Sequence, residues 1–269
     1  MTLDATLGFL GFGNMGRAIA AGLVEKGVIK PAQLAIFDID ADKQQQARDL
    51  GATIHKDPAS LASACDALVL AVKPQSMDDA LKQIAPGLTP RTVLISIAAG
   101  ISISFITKRL GENFRVIRVM PNTPALVSEG AAGIALAHNC TPDDAAVART
   151  IFESIGVVEM VDESLIDAVT ALSGSGPAYF FYMVECLVGA AMQNGLTESQ
   201  ATRLATQTLL GSGLLLRESG ESAATLRERV TSKGGTTEAA LNSFRASGIE
   251  SIIASGVNAA VARAKELGQ

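Results

Sequence analysis

The segment GFGNMG at positions 11–16 constrains this chain more than any other. Gly11, Gly13 and Gly16 stand in the G-x-G-x-x-G spacing. The segment ends an apolar run, TLGFLGF at 6–12, and opens a helical pattern over 14–27. Strand, turn and helix in that order are the context a dinucleotide-binding turn requires. Gly11 allows the tight turn, Gly13 lets the backbone approach a pyrophosphate, and Gly16 lets the helix lie close on the strand. The helix beginning near Asn14 then offers free N–H groups to negative charge. A glycine-rich turn without a ligand is the plainer alternative.

The first part of the chain continues in the same style. Apolar runs recur at 33–39, 65–72, 91–98, 115–120 and 132–137, separated by stretches such as 41–50, 75–85 and 102–110 that are long enough for crossover helices. Such alternation predicts βαβ units and a mostly parallel sheet. From about residue 162 the β-branched runs vanish and long Ala/Leu-rich stretches take over. Ile249, Ile252, Ile253, Gly256, Val257, Ala260, Val261 and Ala264 follow helical spacing along one apolar face. The expected fold is therefore a Rossmann-type, doubly wound α/β domain over 1–161, followed by an all-α C-terminal domain over 162–269.

Composition narrows the classes of function. Lys plus Arg number 22 against 27 Asp plus Glu, a net charge of −5, and the chain has no Trp. A mildly acidic chain without a basic block suits neither nucleic acid nor a membrane surface. No uninterrupted apolar stretch reaches the ~18 residues of a membrane span. Cys65, Cys140 and Cys186 are too scattered for a disulfide framework or a zinc site, and His55 and His138 cannot build a multi-histidine metal site. No metal is expected. The cysteine usage, with no signal-peptide pattern, points to a reducing, cytoplasmic compartment.

Further candidates lie where strands end. Asp38 and Asp40, in FDID, follow the second apolar run, and Asp38 lies 22 positions past Gly16. An acid at about that distance accepts hydrogen bonds from the adenosine ribose hydroxyls. Two carboxylates there, with only Lys43 basic nearby, lean toward NADH over NADPH. The alternative is a helix N-cap, a role Asp40 suits. AVKPQ at 71–75 places Lys73 at the carboxyl end of a strand, where ligands of open α/β sheets bind, though an exposed loop lysine is the plainer reading. SIAAG at 96–100 has side chains small enough to let a nicotinamide or ribose approach the backbone. MPNTP at 120–124 is a proline-stiffened loop in which Asn122 and Thr123 are placed to shape a nicotinamide pocket.

Two features mark the helical part. Residues 177–192, PAYFFYMVECLVGAAM, carry a single charge, Glu185. A helix apolar nearly all round must be covered on every side, either as a central core helix or by a second subunit. The role of Glu185 there stays open. Farther on, VTSKGGTTEAAL at 230–241 puts Gly234 and Gly235 before two threonines that open a helix. Thr236 is the expected N-cap, and Glu238 favours the positive helix end. Free N–H groups, two hydroxyls and Lys233 nearby would receive a carboxylate or a phosphate.

Taken together and in this order, GFGNMG, AVKPQ, SIAAG, RVMPNTPA, SGSGPAY and TSKGGTT resemble pyrroline-5-carboxylate reductases over essentially the whole chain. The resemblance implies reduction of the cyclic imine 1-pyrroline-5-carboxylate to L-proline with NADPH or NADH, the last step of proline synthesis. It also implies helical domains that interlock as homodimers, often assembled into decamers. Carried over, it assigns the pyrophosphate to Gly11, Gly13, Asn14, Met15 and Gly16. The cofactor ribose falls to Ala71, Val72, Lys73, Pro74, Ala98 and Ala99, and the nicotinamide to Asn122, Thr123 and Pro124. Ser232, Gly235, Thr236 and Thr237 would hold the substrate carboxylate and ring nitrogen, with Thr237 as the contact to the nitrogen. The acids Asp38 and Asp40 depart from the pattern of many relatives, which carry residues suited to a 2′-phosphate. Two rival readings fit the residues less well. A β-hydroxyacid dehydrogenase would need a lysine where Phe180 stands, and a dinucleotide-sensing oligomer would leave the anion site at 234–237 without purpose.

Overall fold

The computed structural model describes residues 2–268. Met1 and Gln269, the outer ends of the two expected domains, lie outside the described residues.

Eight strands form one sheet: β1 (Leu7–Leu10), β2 (Leu34–Phe37), β3 (Thr53–Ile54), β4 (Ala67–Leu70), β5 (Val93–Ser96), β6 (Arg115–Met120), β7 (Gly130–Leu136) and β8 (Gly156–Met160). Their order is β3-β2-β1-β4-β5-β6-β7-β8, and every pair is parallel except β6 with β7. The central strands LGFL, ALVL and VLIS are buried throughout, as a parallel sheet covered on both faces demands. The expected doubly wound, mostly parallel sheet is present. β3 and β8 are additions to the expected runs, one very short and one carrying Glu159 among exposed positions.

The helices on the sheet are α1 (Asn14–Glu25), α2 (Ala41–Asp49), α3 (Pro58–Ala64), α4 (Met77–Ile84), α5 (Ile103–Leu110) and α6 (Pro142–Glu153), followed by the short α7 (Ile166–Val169). Local chemistry sets their starts. Asp57 accepts from Ser60 N at 2.7 Å with Pro58 in the first turn of α3, and Ser102 accepts from Phe105 N at 3.1 Å to cap α5. Thr141 and Asp144 form a reciprocal capping box at α6. Burial of Met77, Ala80, Leu81 and Ile84 puts one stripe of α4 into the core. Strand alternation splits that core in two. Phe9, Val69, Ile95 and Ile117 face one side with α1 and α6, and Leu10, Leu68, Leu70 and Leu94 face the other with α3, α4 and α5.

The remaining helices are α8 (Gly176–Gln193), α9 (Glu198–Ser219), α10 (Ala223–Arg229), α11 (Thr236–Ala246) and α12 (Ile249–Leu267). The chain separates into a sheet unit that ends at Ser175 and takes the chain back from Ala260, and a helical unit, Gly176–Ala259. Residues 162–175 thus pack with the sheet, whereas the sequence places them with the helices. The reason is a set of ion pairs: Glu163 and Asp167 both face the buried Arg118 of β6, at 3.3 and 3.7 Å. The last turn of α12 also packs on the sheet unit. A Cβ at Gly100 would lie 2.7 Å from the Leu267 carbonyl oxygen.

No helix among the described residues is long and apolar enough to cross a membrane. The helical unit instead lacks an interior of its own. Of its residues only Gly176 and Ala201 are buried. Phe180, Phe181, Tyr182 and Met183 of α8 are 57, 60, 68 and 43% exposed. Glu185 is exposed as well. An apolar face of this extent on a chain of 269 residues calls for a protein partner. Light scattering on the full chain is expected to give at least twice the 27.8 kDa chain mass; a monodisperse monomer would contradict the argument.

Candidate active site

Strand register assembles the site. Leu10 pairs with Phe37 on one side and Leu70 on the other, and Leu70 pairs with Ser96. Gly11, Asp38, Ala71 and Ile97 therefore leave the sheet side by side. The strand order turns back between β1 and β4, the switch point at which ligands of open α/β sheets bind, outside the carboxyl ends of the strands.

The glycine turn is built as its spacing predicts. Gly11 has φ +93°, and a Cβ on it would lie 2.8 Å from the Ala71 carbonyl oxygen. A Cβ on Gly16 would meet the Gly11 carbonyl oxygen at 2.9 Å, whereas Gly13 faces open space. Phe12 turns its ring inward, edge-on to Phe9, which leaves its backbone on the turn. Gly13 is the N-cap of α1 and has no side chain with which to cap it. The first-turn N–H groups are thus left to a ligand. An open approach, no Cβ in the way and uncapped donors fit a pyrophosphate.

The two acids beside the turn take different parts. Asp38 is 6% exposed. Its Oδ2 accepts from Phe12 N at 2.6 Å, and its Oδ1 accepts from Asp40 N at 2.9 Å. Asp40 is the N-cap of α2, its Oδ1 accepting from Asp42 N at 2.9 Å and its Oδ2 lying 3.6 Å from Lys43 Nζ. The N-cap alternative thus describes Asp40, while Asp38 looks into the protein.

Across the switch point, Ala71 N donates to Leu10 O at 2.9 Å, and Val72 is half-buried. Lys73 precedes a short 3-10 turn, Pro74–Ser76, and is exposed with Pro74. In the next loop Ala98 is buried, Ala99 is half-buried and Gly100 has φ +77°. In the loop after β6, Thr123 is exposed and Pro124 half-buried, but the Asn122 side chain points inward. Its Nδ2 donates to Ser173 O at 3.0 Å, and its Oδ1 accepts from Ala131 N at 2.8 Å. It shapes the loop rather than offering its amide to a ligand.

One cluster escapes sequence reading. Glu163 Oε1 accepts from Ile103 N at 2.7 Å while it pairs with Arg118. It therefore ties the end of the 96–100 loop to the strand that leads into the 121–124 loop. The only sequence signal is Arg118 itself, a charge inside the run RVIRVM.

The second glycine cluster lies in the helical unit. Gly234 has φ +72°, and its N–H donates to Glu238 Oε2 at 2.7 Å. Gly235 N donates to Ser232 O at 3.0 Å. A Cβ on Gly235 would run into the Ser232 hydroxyl. The N-cap of α11 is Gly235, one residue earlier than the expected Thr236, and makes no side-chain cap bond. The extended conformation of Gly235 (φ −83°, ψ 170°) places Thr236 already inside the helix. Ser232 and Thr236 are exposed, and Thr237 is half-buried. The result is an uncapped helix end with hydroxyls beside it.

No group of His, Cys, Asp and Glu able to hold a metal occurs among the described residues. Burial pushes the Cys65 thiol up to about 12 and also raises that of Cys140. Neither is a poised nucleophile.

Comparison with known proteins matches this plan. Residues 6–100 match a family described as NADP oxidoreductase, coenzyme F420-dependent, and residues 163–267 match pyrroline-5-carboxylate reductase dimerisation. A pyrroline-5-carboxylate reductase of Methanosarcina acetivorans is 40% identical over 98% of both chains. The chain belongs to the pyrroline-5-carboxylate reductase family. Among solved structures, a pyrroline-5-carboxylate reductase of Coxiella burnetii superposes with a TM-score of 0.94 at 35% identity, covering 99% of this chain and all of that one. A Plasmodium falciparum pyrroline carboxylate reductase with NADP bound gives a TM-score of 0.88 at 31% identity, with both chains covered completely. The family's cofactor is a nicotinamide dinucleotide, and its dimerisation region covers α8 to α12. That region begins at Glu163, although the chain packs with the sheet until Ser175.

The Gly11→Ala variant tests the turn. A left-handed alanine pressed against the Ala71 carbonyl should cost about 2–5 kcal/mol of stability. It should also abolish nucleotide binding, measured by calorimetry. Wild-type affinity in that variant would mean the turn is not the pyrophosphate site.

Proposed function

We infer that this chain reduces 1-pyrroline-5-carboxylate to L-proline with NADH or NADPH, the last step of proline synthesis. The observation that carries the reading is full-length membership of the family together with an uncapped helix terminus in each unit, at Gly13 and at Gly235. The first suits the pyrophosphate of a dinucleotide. The second suits the substrate carboxylate.

The reaction asks little of a general acid. A cyclic imine is readily protonated near neutral pH, and its iminium carbon is already electrophilic. The hydride that ring carbon 5 accepts is the chemistry supplied by the reduced nicotinamide when bound. The protein's task is to orient the two rings. Gly11, Gly13, Asn14, Met15 and Gly16 hold the pyrophosphate; Ala71, Val72, Lys73, Pro74, Ala98 and Ala99 border the ribose. The loop 122–124 flanks the nicotinamide through Thr123, Pro124 and its backbone. Ser232, Gly235 and Thr236 anchor the substrate carboxylate through hydroxyls and first-turn N–H groups. Thr237 contacts the ring nitrogen and relays its proton from water. This scheme needs no histidine, thiol or metal.

The working form is a homodimer formed through the helical unit, whose exposed apolar faces support that arrangement. Both nucleotides are accepted, with NADH at least matching NADPH, because the exposed carboxylate of Asp40 follows the second strand with Lys43 opposing it. The three free cysteines suit the cytoplasm.

Purified protein should oxidise NADH or NADPH only when the imine is supplied, with proline as the product. No turnover with either nucleotide would sink the reading. Thr237→Val keeps the side-chain shape and removes the hydroxyl. Loss of one hydrogen bond to a charged group costs ~1.5–3 kcal/mol, roughly ten- to a hundredfold in kcat/KM. Nucleotide affinity should hold steady. An equal fall in nucleotide binding would reassign the residue to the cofactor.

A further inference from the structure

The acid that sequence spacing assigns to the ribose is turned toward the glycine turn. Asp38 is almost wholly buried, and each of its carboxylate oxygens already accepts a backbone N–H, one from Phe12 and one from Asp40. Around it the end of β2 is fastened further. Gly11 N donates to Phe37 O at 2.8 Å, and Gln44 Nε2 donates to Asp38 O at 2.8 Å. The Phe12 N–H lies in the middle of G-x-G, between the glycine that makes the turn and the glycine that caps α1. A charge-assisted bond at that point fixes the plane of the Phe12 peptide, and with it the direction of the donors that follow. The exposed acid at this end of the sheet is Asp40. Its side chain is 45% exposed and keeps one oxygen outside the cap, opposed by Lys43.

We propose that Asp38 is a positioning residue that latches the glycine turn for the pyrophosphate of either nucleotide, and that Asp40 is the residue that distinguishes a ribose hydroxyl from a 2′-phosphate. The proposal rests on the dinucleotide reading of the turn. It separates two functions usually given to one acid. Affinity common to both nucleotides resides in a buried contact with the turn itself. Discrimination resides one turn farther out, in a carboxylate whose charge a neighbouring lysine partly offsets.

Asn in place of Asp38 is a direct test, because both oxygens face N–H donors and an amide can satisfy only one of them. Binding of NADH and of NADPH to the full chain is measured by calorimetry without the imine, for the wild type, Asp38→Asn and Asp40→Ser. Serine at 40 keeps a helix cap and removes the charge. Asp38→Asn should weaken both nucleotides by about tenfold or more and move their ratio by less than about threefold. Asp40→Ser should shift the ratio toward NADPH by at least about fivefold. The proposal is overturned if Asp38→Asn shifts the ratio by about tenfold, or leaves both affinities within about twofold of wild type. Circular dichroism checks folding, and should Asp38→Asn not fold, an unchanged ratio in Asp40→Ser overturns the proposal by itself. Wild-type protein that binds neither nucleotide removes both the proposal and the functional reading. Wild-type protein that binds them but leaves the imine unreduced removes only the functional reading.

Discussion

A guanidinium inside a β-sheet is the interaction on which this edge of the sheet and its loops depend. Arg118 lies in β6 between Ser96 of β5 and Ala135 of β7 and is 8% exposed. Desolvating such a charge costs several kcal/mol unless partners and geometry offset it. Both partners, Glu163 and Asp167, come from the stretch that follows β8. One buried charge thereby dictates the path of the chain as it leaves the sheet. Glu163 adds a bond to the start of α5, so the same carboxylate sets where the small-residue loop ends. Asn122 performs a neutral version of this task, joining its own loop to Ser173 and to β7. The loops at this edge are thus held from behind.

Each unit shows how far backbone donors can replace ionisable groups. At both glycine clusters the free donors are peptide N–H groups at a helix start, with no side chain capping them. Such donors are fixed in direction, need no protonation and carry the partial positive charge of the helix end. Glycine is required at Gly11, where the turn is left-handed and the Ala71 carbonyl is close; at Gly235 the backbone is extended and a Cβ would meet chiefly the Ser232 hydroxyl, which can turn away. Hydride transfer to an activated imine needs orientation more than acid or base strength, so this economy of charge suits the chemistry.

Much of this was legible from sequence. The runs around β1, β2, β4 and β5 are apolar segments buried on both faces, and such segments announce themselves. β3 has two residues, and β8 exposes most of its side chains, so neither leaves an apolar signature. The glycine spacing located the turn because backbone requirements are written in residue type. Side-chain direction is not. Asp38 and Asn122 stand at the expected places, yet one serves the turn and the other the loop. The cap of α11 moved by one residue because glycine, with no side chain to announce a cap, adopts the extended geometry as well as threonine. The ion cluster at Arg118 joins residues 45 and more positions apart, a pairing that no local pattern encodes. The limit of the sheet unit at Ser175 follows from that same long-range pairing.

The exposed apolar helices of residues 176–259 make this an enzyme whose folding is written as a second-order process. A helical unit with two buried residues cannot draw its stability from its own interior, so the stability it has comes from association. Free energy of that origin scales with the logarithm of protein concentration. Melting temperature then rises with the amount of chain present, and synthesis rate becomes a determinant of the native state. Without that association the aromatic face of α8 stays open to solvent.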